Sequence, residues 1–297
     1  MTDPTLVIVP VAVVTDSSAY LPDGLAERYG IRQVSLHVLI DGRHRLDGVQ
    51  LGPAELVEAL ARRATVSTSR PTPGEFEAVY TEAIRAGADT VVSVHLSRAL
   101  SGTWESARLA AEQFDAERVR VVDSRSTGMG LGFAVLAAAA VAAAGADQGT
   151  VYDAAERVGA RTRAFFSVDT LEYLRRGGRI SPAAALLGTA LAVKPLLHVD
   201  SGRIVPLEKV RTASRARARL VELVVQAAGS DPLDLAVHHL GAADSAVDLV
   251  EQLHARLPML TECLVSEVGA AIGAHAGPGM LGVVVLPGGL REQLAAG

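Results

Sequence analysis

The sequence predicts an α/β protein whose first half contains a parallel sheet. Three apolar runs carry this prediction, because each is followed by small hydroxyl or acidic residues and then by a helix-like segment. The polar stretches that follow them are Thr15–Ser18, Ser97–Thr103 and Asp123–Thr127. Ligands of open parallel sheets bind at the carboxyl ends of the strands, so we expect all three stretches to face one edge and to form the site.

The first elements follow from periodicity and turn signals. In chain order they are a strand at Val11–Val14 that starts after Pro10, a short helix at Asp23–Tyr29 ended by Gly30, an alternating strand-like segment with a turn at Asp41–Gly42, and an amphipathic helix at Pro53–Arg63.

The next helix has the clearest start signal in the chain. Thr72 fits the N-cap, Pro73 the first helical position and Glu75 the reciprocal partner of a capping box. A buried strand at "DTVVSVHLS", a helix at Gly102–Phe114 and a strand at "RVRVVDS" should follow.

Gly128–Ala146 raises the question of a membrane span, because these nineteen residues carry no charge. The segment consists mostly of alanine and glycine, which gain little from lipid, and no basic cluster follows it. We therefore interpret it as a buried helix.

The second half predicts a mixed sheet with helices on one side. A hairpin is expected around Asp200–Gly202, helices at Ala213–Ala228 and Ala243–Arg256, and strands at "LDLAVHHL" and "LGVVVLP". We expect two domains: residues 1–160, an α/β/α layer carrying the hydroxyl-rich loops, and residues 161–297, a mixed α/β domain, with the ligand between them.

Composition narrows the classes of function. Of 297 residues, 49% are hydrophobic and 21% charged, which suits a packed core, and the net charge of −5 argues against a nucleic-acid partner. Cys263 is the only cysteine, so an intramolecular disulfide is excluded. The amino terminus has no basic segment of a secretory signal, and we expect a cytoplasmic protein.

No standard cofactor or metal motif is recognisable. Gly128, Gly130 and Gly132 form GxGxG rather than GxGxxG, and we interpret them as close packing at a helix start. His238 and His239 are adjacent on a strand, so they should point to opposite faces and cannot chelate one metal. We expect neither a cofactor nor a metal site.

Ser101 has three possible roles at its strand-to-helix junction. It could cap the helix, bind an anion with help from the helix N-terminus, or act as a nucleophile, although the GxSxG elbow is missing. Thr68, in a predicted loop, could supply a second hydroxyl. His275, also in a predicted loop, precedes a Gly-Pro-Gly turn. Arg179 follows a glycine bend, and Arg211 ends a predicted strand.

The ordered set of motifs resembles the DegV family over nearly the whole chain. The matching segments are Val14–Pro22 (VTDSSAYLP), Thr68–Phe76 (TSRPTPGEF), Leu96–Thr103 (LSRALSGT), Val122–Ser124 (VDS), Leu171–Ser181 (LEYLRRGGRIS), Lys194–Pro195 (KP), Lys209–Thr212 (KVRT) and His275–Gly279 (HAGPG).

The resemblance implies a two-domain α/β protein that buries a fatty acid between its domains and is not itself an enzyme. The family's carboxylate-binding hydroxyls correspond to Thr68 and Ser101, with His275 nearby. The resemblance further implies that a separate ATP-dependent fatty acid kinase phosphorylates the bound acid for phospholipid synthesis. Arg179 and Arg211 would then lie near the kinase-facing surface or the head group.

Two positions depart from the family pattern. Arg70 stands where TSQP has glutamine, and Arg98 stands where LSS has its second serine. Our hypothesis is that one or both border the head-group site; the alternative is that both point into solvent. Two other functions stay open: a sensor in which lipid is structural, and an acyl hydrolase that uses Ser101 with His275 as base.

Overall fold

A computed structural model describes residues 11–181 and 193–291, which form three sheets and the helices around them. The strands are β1 (Val11–Asp16), β2 (Arg32–Val34), β3 (His37–Ile40), β4 (Arg43–Leu46), β5 (Val66–Ser69), β6 (Thr90–His95), β7 (Val119–Asp123), β8 (Arg163–Ser167), β9 (Lys194–Asp200), β10 (Arg203–Val210), β11 (Leu233–His239), β12 (Leu260–Glu267) and β13 (Leu281–Pro287). The helices are α1 (Leu25–Arg28), α2 (Pro53–Ala61), α3 (Pro73–Arg85), α4 (Thr103–Ala111), α5 (Met129–Ala143), α6 (Gln148–Arg161), α7 (Glu172–Arg176), α8 (Ala213–Ala228), α9 (Ala243–Arg256) and α10 (Ala270–Ala276), and a 3-10 turn covers Ser17–Ala19.

The predicted parallel sheet is present, with strand order β2-β1-β6-β7. Helices α3 and α4 cover one face and α5 and α6 the other. In β6, Val91 faces the first layer while Val92 and Val94 face the second. Because both faces of the sheet are buried, valines point to either side of this strand. The α/β prediction is confirmed.

The second half forms a six-stranded mixed sheet in the order β10-β9-β8-β13-β11-β12. Helices α8 and α9 pack on one face, and both span the residues predicted. The predicted hairpin joins β9 and β10 through Ser201 and Gly202, whose φ angles of 49° and 78° suit a two-residue turn that matches the twist of the strands. The opposite face of this sheet meets α5 and the pocket described below.

A third, antiparallel sheet of order β4-β3-β5 was not predicted. The expected turn at Asp41–Gly42 is confirmed and joins β3 to β4. Thr68 was predicted in a loop, which is wrong: it lies in β5 and pairs with Val38 of β3. Val66–Ser69 is short and polar, so its own alternation gives little signal for a strand. Pairing with β3 is what stabilises the strand.

The small sheet packs with α2, α10 and residues of β8 and β9 in one apolar cluster. The first seventy residues therefore contribute to two cores, one around the parallel sheet and one around α10. The division between residues 160 and 161 falls at the end of α6, before β8, and stays a prediction.

Local signals explain the helix starts that matter for the site. Thr72 caps α3 in the predicted capping box, and the Thr72 amide donates to the Glu75 carboxylate at 2.7 Å.

Helix α5 is buried along nearly its whole length, as predicted. No helix within the described ranges is long and apolar enough to span a membrane. Pro10 and most of the segment SPAAALLGTALAV (residues 181–193), which we considered for the tunnel wall, lie outside the described residues.

Candidate functional site

An apolar pocket lies between the carboxyl edge of the parallel sheet and one face of the mixed sheet. Its empty space is about 870 Å³, including the part that opens to solvent. Apolar side chains from both sheets and from α10 form most of its wall, for example Leu36, Leu96, Phe166, Ile204 and Met280. The polar side chains at the wall are Ser18, Thr68, Ser101, Thr127, Arg179, His238 and His275.

Thr68 and His275 meet at this pocket although 207 residues separate them in the chain. The Thr68 Oγ1 atom lies 2.8 Å from His275 Nε2. His275 was expected in a loop; it lies instead in the last turn of α10, and the glycine bend follows it. The helix holds the imidazole against β5, which fixes the position of the Thr68 hydroxyl.

The proton of this imidazole can be assigned from its surroundings. Burial, aided by the charge of Arg179, lowers the pKa of His275 to about 4, so the ring is neutral at pH 7. Its Nδ1 atom is buried against Gly177 and has no hydrogen-bond partner among the described residues. A proton on Nδ1 would be left without an acceptor, so we place it on Nε2, which donates to Thr68. The Thr68 hydroxyl is then free to donate into the pocket.

Ser101 lines the same pocket from the loop between β6 and α4. Its Oγ lies 2.8 Å from Thr103 Oγ1 and accepts from the Thr103 amide at 3.3 Å, so it helps to start the helix. The loop is fixed from the other side, because Ser97 Oγ donates to Gly202 O of the β9–β10 turn at 2.8 Å. The N-cap of α4 is Gly102, so Ser101 supports the helix start from the preceding position, and this contact is compatible with contact to a ligand.

Arg179 connects the glycine bend after α7 to the loop of Ser101. Its Nε donates to Leu100 O at 3.0 Å and its Nη1 donates to Gly177 O. The side chain is half-buried, which lowers the guanidinium pKa, yet it stays charged. Arg179 therefore adds a positive charge to the pocket wall that Thr68 and Ser101 also line.

The other three arginines that were predicted as candidates lie outside the pocket wall. Arg70 is exposed and lies across Gly102, with its Nη1 3.4 Å from Gly102 O. Arg98 points away from the pocket: its Nε lies 3.4 Å from Asp123 Oδ2, and its side chain is 67% exposed. Arg211 is exposed immediately after β10 and does not line the pocket.

A buried network under the hydroxyl loops was not predicted. Asp16 accepts hydrogen bonds from the amide and hydroxyl of Ser18 and from the Leu96 amide, and its Oδ2 lies 2.9 Å from His95 Nδ1. The carboxylate thereby joins the ends of β1 and β6. The sequence indicated only that polar residues follow each strand. Which of them pair with one another depends on the order of the strands in the sheet, which the sequence does not show.

The same network contains a serine, a histidine and an aspartate in the geometry of a hydrolase triad. Ser93 Oγ lies 2.7 Å from His95 Nε2, and His95 bonds Asp16. All three side chains are fully buried, and Tyr80 donates to the serine oxygen. This triad has no route to a substrate, so its role is structural.

The hydrolase built on Ser101 and His275 has no geometric support either. His275 Nε2 bonds Thr68, whereas Ser101 bonds Thr103. A nucleophile needs its base within hydrogen-bond reach.

Two further side chains, which were not predicted, join the elements of the pocket wall through hydrogen bonds. Asp47 accepts from Ser17, Tyr20 and the Ala271 amide, at 2.8, 3.1 and 3.1 Å, and so ties the start of α10 to the first hydroxyl loop. His238 lines the pocket, and its Nε2 accepts from the Met129 amide at 2.8 Å. Burial lowers the pKa of His238 to about 4, which keeps this acceptor unprotonated.

Comparison with known proteins agrees with this architecture. A family model described as "Uncharacterised protein, DegV family" matches residues 10–288. The chain belongs to the DegV family. It is 53% identical to a DegV domain-containing protein of Streptomyces coelicolor over 275 residues, covering 93% of this chain and 98% of the relative. It is 37% identical to Protein DegV of Bacillus subtilis over 276 residues, covering 92% and 98%.

Solved DegV structures have the same fold. A DegV family protein from Thermus thermophilus, described by its fatty acid binding, superposes with a TM-score of 0.88 at 36% identity, covering 94% of this chain and 99% of that one. DegV from Bacillus subtilis, described as a fatty acid binding protein, gives 0.84 at 36% identity and covers 93% and 98%.

Proposed function

We propose that this DegV protein binds a long-chain fatty acid in the pocket between its sheets and presents the carboxylate to a separate ATP-dependent fatty acid kinase. The observation that carries the binding proposal is the Thr68–His275 pair in the wall of a mostly apolar cavity. The fatty acid binding of the DegV structures from Thermus thermophilus and Bacillus subtilis supports it.

The wall of the pocket and its polar end suit the two parts of such a ligand. Each buried methylene contributes about 0.8 kcal/mol, so the apolar wall supplies most of the affinity of a long chain. The carboxylate loses water on entry and requires donors in return. Thr68, whose hydroxyl is released by His275, and Ser101 are the proposed donors, and Arg179 supplies a nearby positive charge.

Presentation to a kinase rests on the family resemblance and on the location of the polar end. Ser101 and Gly102 lie in a surface loop, and exposed Arg70 crosses it, so the carboxylate would sit near solvent. The sequence has no GxxxxGK[ST] motif for ATP, which is consistent with a partner that brings the nucleotide.

We expect the wild-type protein to carry a stoichiometric fatty acid and the Thr68→Ala/Ser101→Ala double variant to lose it or bind it weakly. Loss of two donors leaves the carboxylate undersolvated. Extraction and mass spectrometry of the purified proteins measure this. Ser69→Ala is the matched control, since Ser69 neighbours Thr68 on β5 but is exposed and does not line the pocket. An empty wild-type protein that also refuses added fatty acids contradicts the binding proposal.

We expect the bound acid to become an acyl-phosphate when a fatty acid kinase and ATP are added. Arg211→Glu should slow this transfer while leaving fatty-acid content unchanged, because Arg211 lies outside the pocket. Radiolabel transfer from ATP and lipid mass spectrometry give the two readouts. A bound acid that no fatty acid kinase phosphorylates favours the sensor function instead.

We expect Arg70→Gln to weaken fatty-acid affinity about twofold to fivefold at low salt and to flatten its salt dependence, as for an exposed charge. Arg98→Ser should change neither, because Asp123 holds Arg98 away from the pocket. Binding titrations at two ionic strengths test both. Equal behaviour of the two variants would show that Arg70 has no special relation to the carboxylate.

A further inference from the structure

A second polar group lies in the wall of the pocket, apart from the proposed carboxylate site. It consists of the side chains of Ser18, Thr127 and His238, all of which line the cavity. The Gly128 amide donates to Ser18 O at 3.0 Å, which places Thr127 beside the first hydroxyl loop. Binding of a carboxylate by the other hydroxyls leaves this second group without a role.

Thr127 is the member of this group with unused hydrogen-bonding capacity. Neither its hydroxyl nor its backbone N–H has a hydrogen-bond partner within the described ranges of the chain. Polar groups inside proteins are nearly always paired, and each exception requires an explanation. An unused hydroxyl in the wall of a mostly apolar cavity points to an oxygen atom of the ligand.

The neighbours of Thr127 indicate which kind of oxygen fits. Ser18 Oγ donates its proton to Asp16, so its lone pairs can still accept a hydrogen bond. Both ring nitrogens of His238 already have partners, in the start of α5 and in β12. The wall therefore offers a donor on Thr127 and an acceptor on Ser18, and an alcohol group can use both at once.

The wall also leaves room for such a group beside His238. Gly282 of β13 lies directly opposite His238 on one side and Phe166 on the other, and all three line the pocket. The φ angle of Gly282 is not positive, so its backbone does not require glycine. A methyl group there would lie 3.3 Å from Phe166 Cβ and would fill the gap between the two rings. Glycine within a strand often marks the close approach of a ligand.

The two polar groups of the pocket lie toward opposite ends of α10. His275, in the last turn, bonds Thr68. Toward the first turn, the Tyr20 hydroxyl accepts from the helix backbone, and Ser266 Oγ donates to Tyr20 O and lies 3.0 Å from His238 Nδ1. A helix of seven residues is about 10 Å long, the length of several carbon–carbon bonds. The second group therefore faces the chain of a bound acid and not its carboxylate.

We propose that the pocket selects long-chain fatty acids that carry a hydroxyl group near the middle of the chain, an inference that rests on the fatty-acid binding proposed above. Thr127 donates to the hydroxyl oxygen of the ligand, and the ligand hydroxyl donates to Ser18 Oγ. The missing side chain at Gly282 accommodates the substituted carbon.

The probes are stearate and its mid-chain derivatives 10-hydroxystearate and 12-hydroxystearate, titrated into wild-type protein freed of co-purified lipid. We expect one or both hydroxy acids to bind about threefold to tenfold more tightly than stearate, the effect of about one additional hydrogen bond. Stearate has the same chain length and carboxylate, so it controls for both.

Thr127→Val removes the hydroxyl and keeps the branched shape of the side chain. We expect it to abolish the preference or to reverse it, because a ligand hydroxyl beside valine loses its donor. Thr127→Ser keeps a hydroxyl and should retain the preference, and thermal melts check that both variants fold. Stearate bound by the wild type as tightly as both hydroxy acids, or a preference that survives in Thr127→Val, overturns the inference and leaves the fatty-acid proposal standing. A wild-type protein that binds none of the three acids contradicts both.

Discussion

Gly177→Ala should lower fatty-acid affinity about tenfold or more, the equivalent of losing at least one hydrogen bond to a charged group. Gly177 has an ordinary helical φ of −73°, so its backbone would accept alanine. A methyl group at this position would overlap His275 Nδ1 and the adjacent ring carbon. His275 cannot retreat without leaving Thr68, so the substitution should disorganise the carboxylate site while the rest of the pocket persists.

Gly178→Ala is the matched control for this effect. Gly178 has a φ of +70° and nothing within 4 Å of an added methyl group. Alanine there costs about 1 kcal/mol of backbone strain but touches no part of the site. Binding titrations of the two variants with one fatty acid, together with urea unfolding, separate the two effects. Full affinity in Gly177→Ala would show that His275 does not position Thr68.

The elements that were predicted correctly depend on neighbours in the sequence. Thr72, Pro73 and Glu75 specify the start of α3 because all contacts of a capping box lie within four residues. The bounds of Ala213–Ala228 follow from Thr212 as N-cap and Gly229 after the last turn. Local signals of this kind survive in almost any tertiary setting.

For the carboxylate site, the residues could be predicted from the sequence but their places in the fold could not. Thr68 and His275 were selected by resemblance, yet both were placed in loops, because a polar four-residue strand and a seven-residue helix carry little periodic signal. Asp47 was missed altogether. Its hydrogen bond with the Ala271 amide spans 224 residues, and no pattern near Asp47 in the sequence indicates that partner.

A large pH effect should come from His238. Burial lowers its pKa from 6.5 to about 4, so the unfolded chain binds this proton more readily than the folded one. The free energy of unfolding should therefore fall as the pH is lowered from 6.5 to about 4, by about 3 kcal/mol for this group, and stay level above that window. His275, whose pKa is also about 4, acts in the same direction.

His238→Gln isolates the contribution of one histidine, since its amide oxygen can accept from the Met129 amide without titrating. Burial raises the pKa of Asp47, which works in the opposite direction at lower pH, but this term is common to both proteins and cancels in the comparison. Urea unfolding at a series of pH values should show the variant less stable near pH 7 and the difference shrinking toward pH 4, because the wild type alone loses this contribution. Parallel stability curves for the two proteins would mean that His238 titrates equally in the folded and unfolded states. The neutral imidazole would then not be what joins the start of α5 to β11 across the pocket.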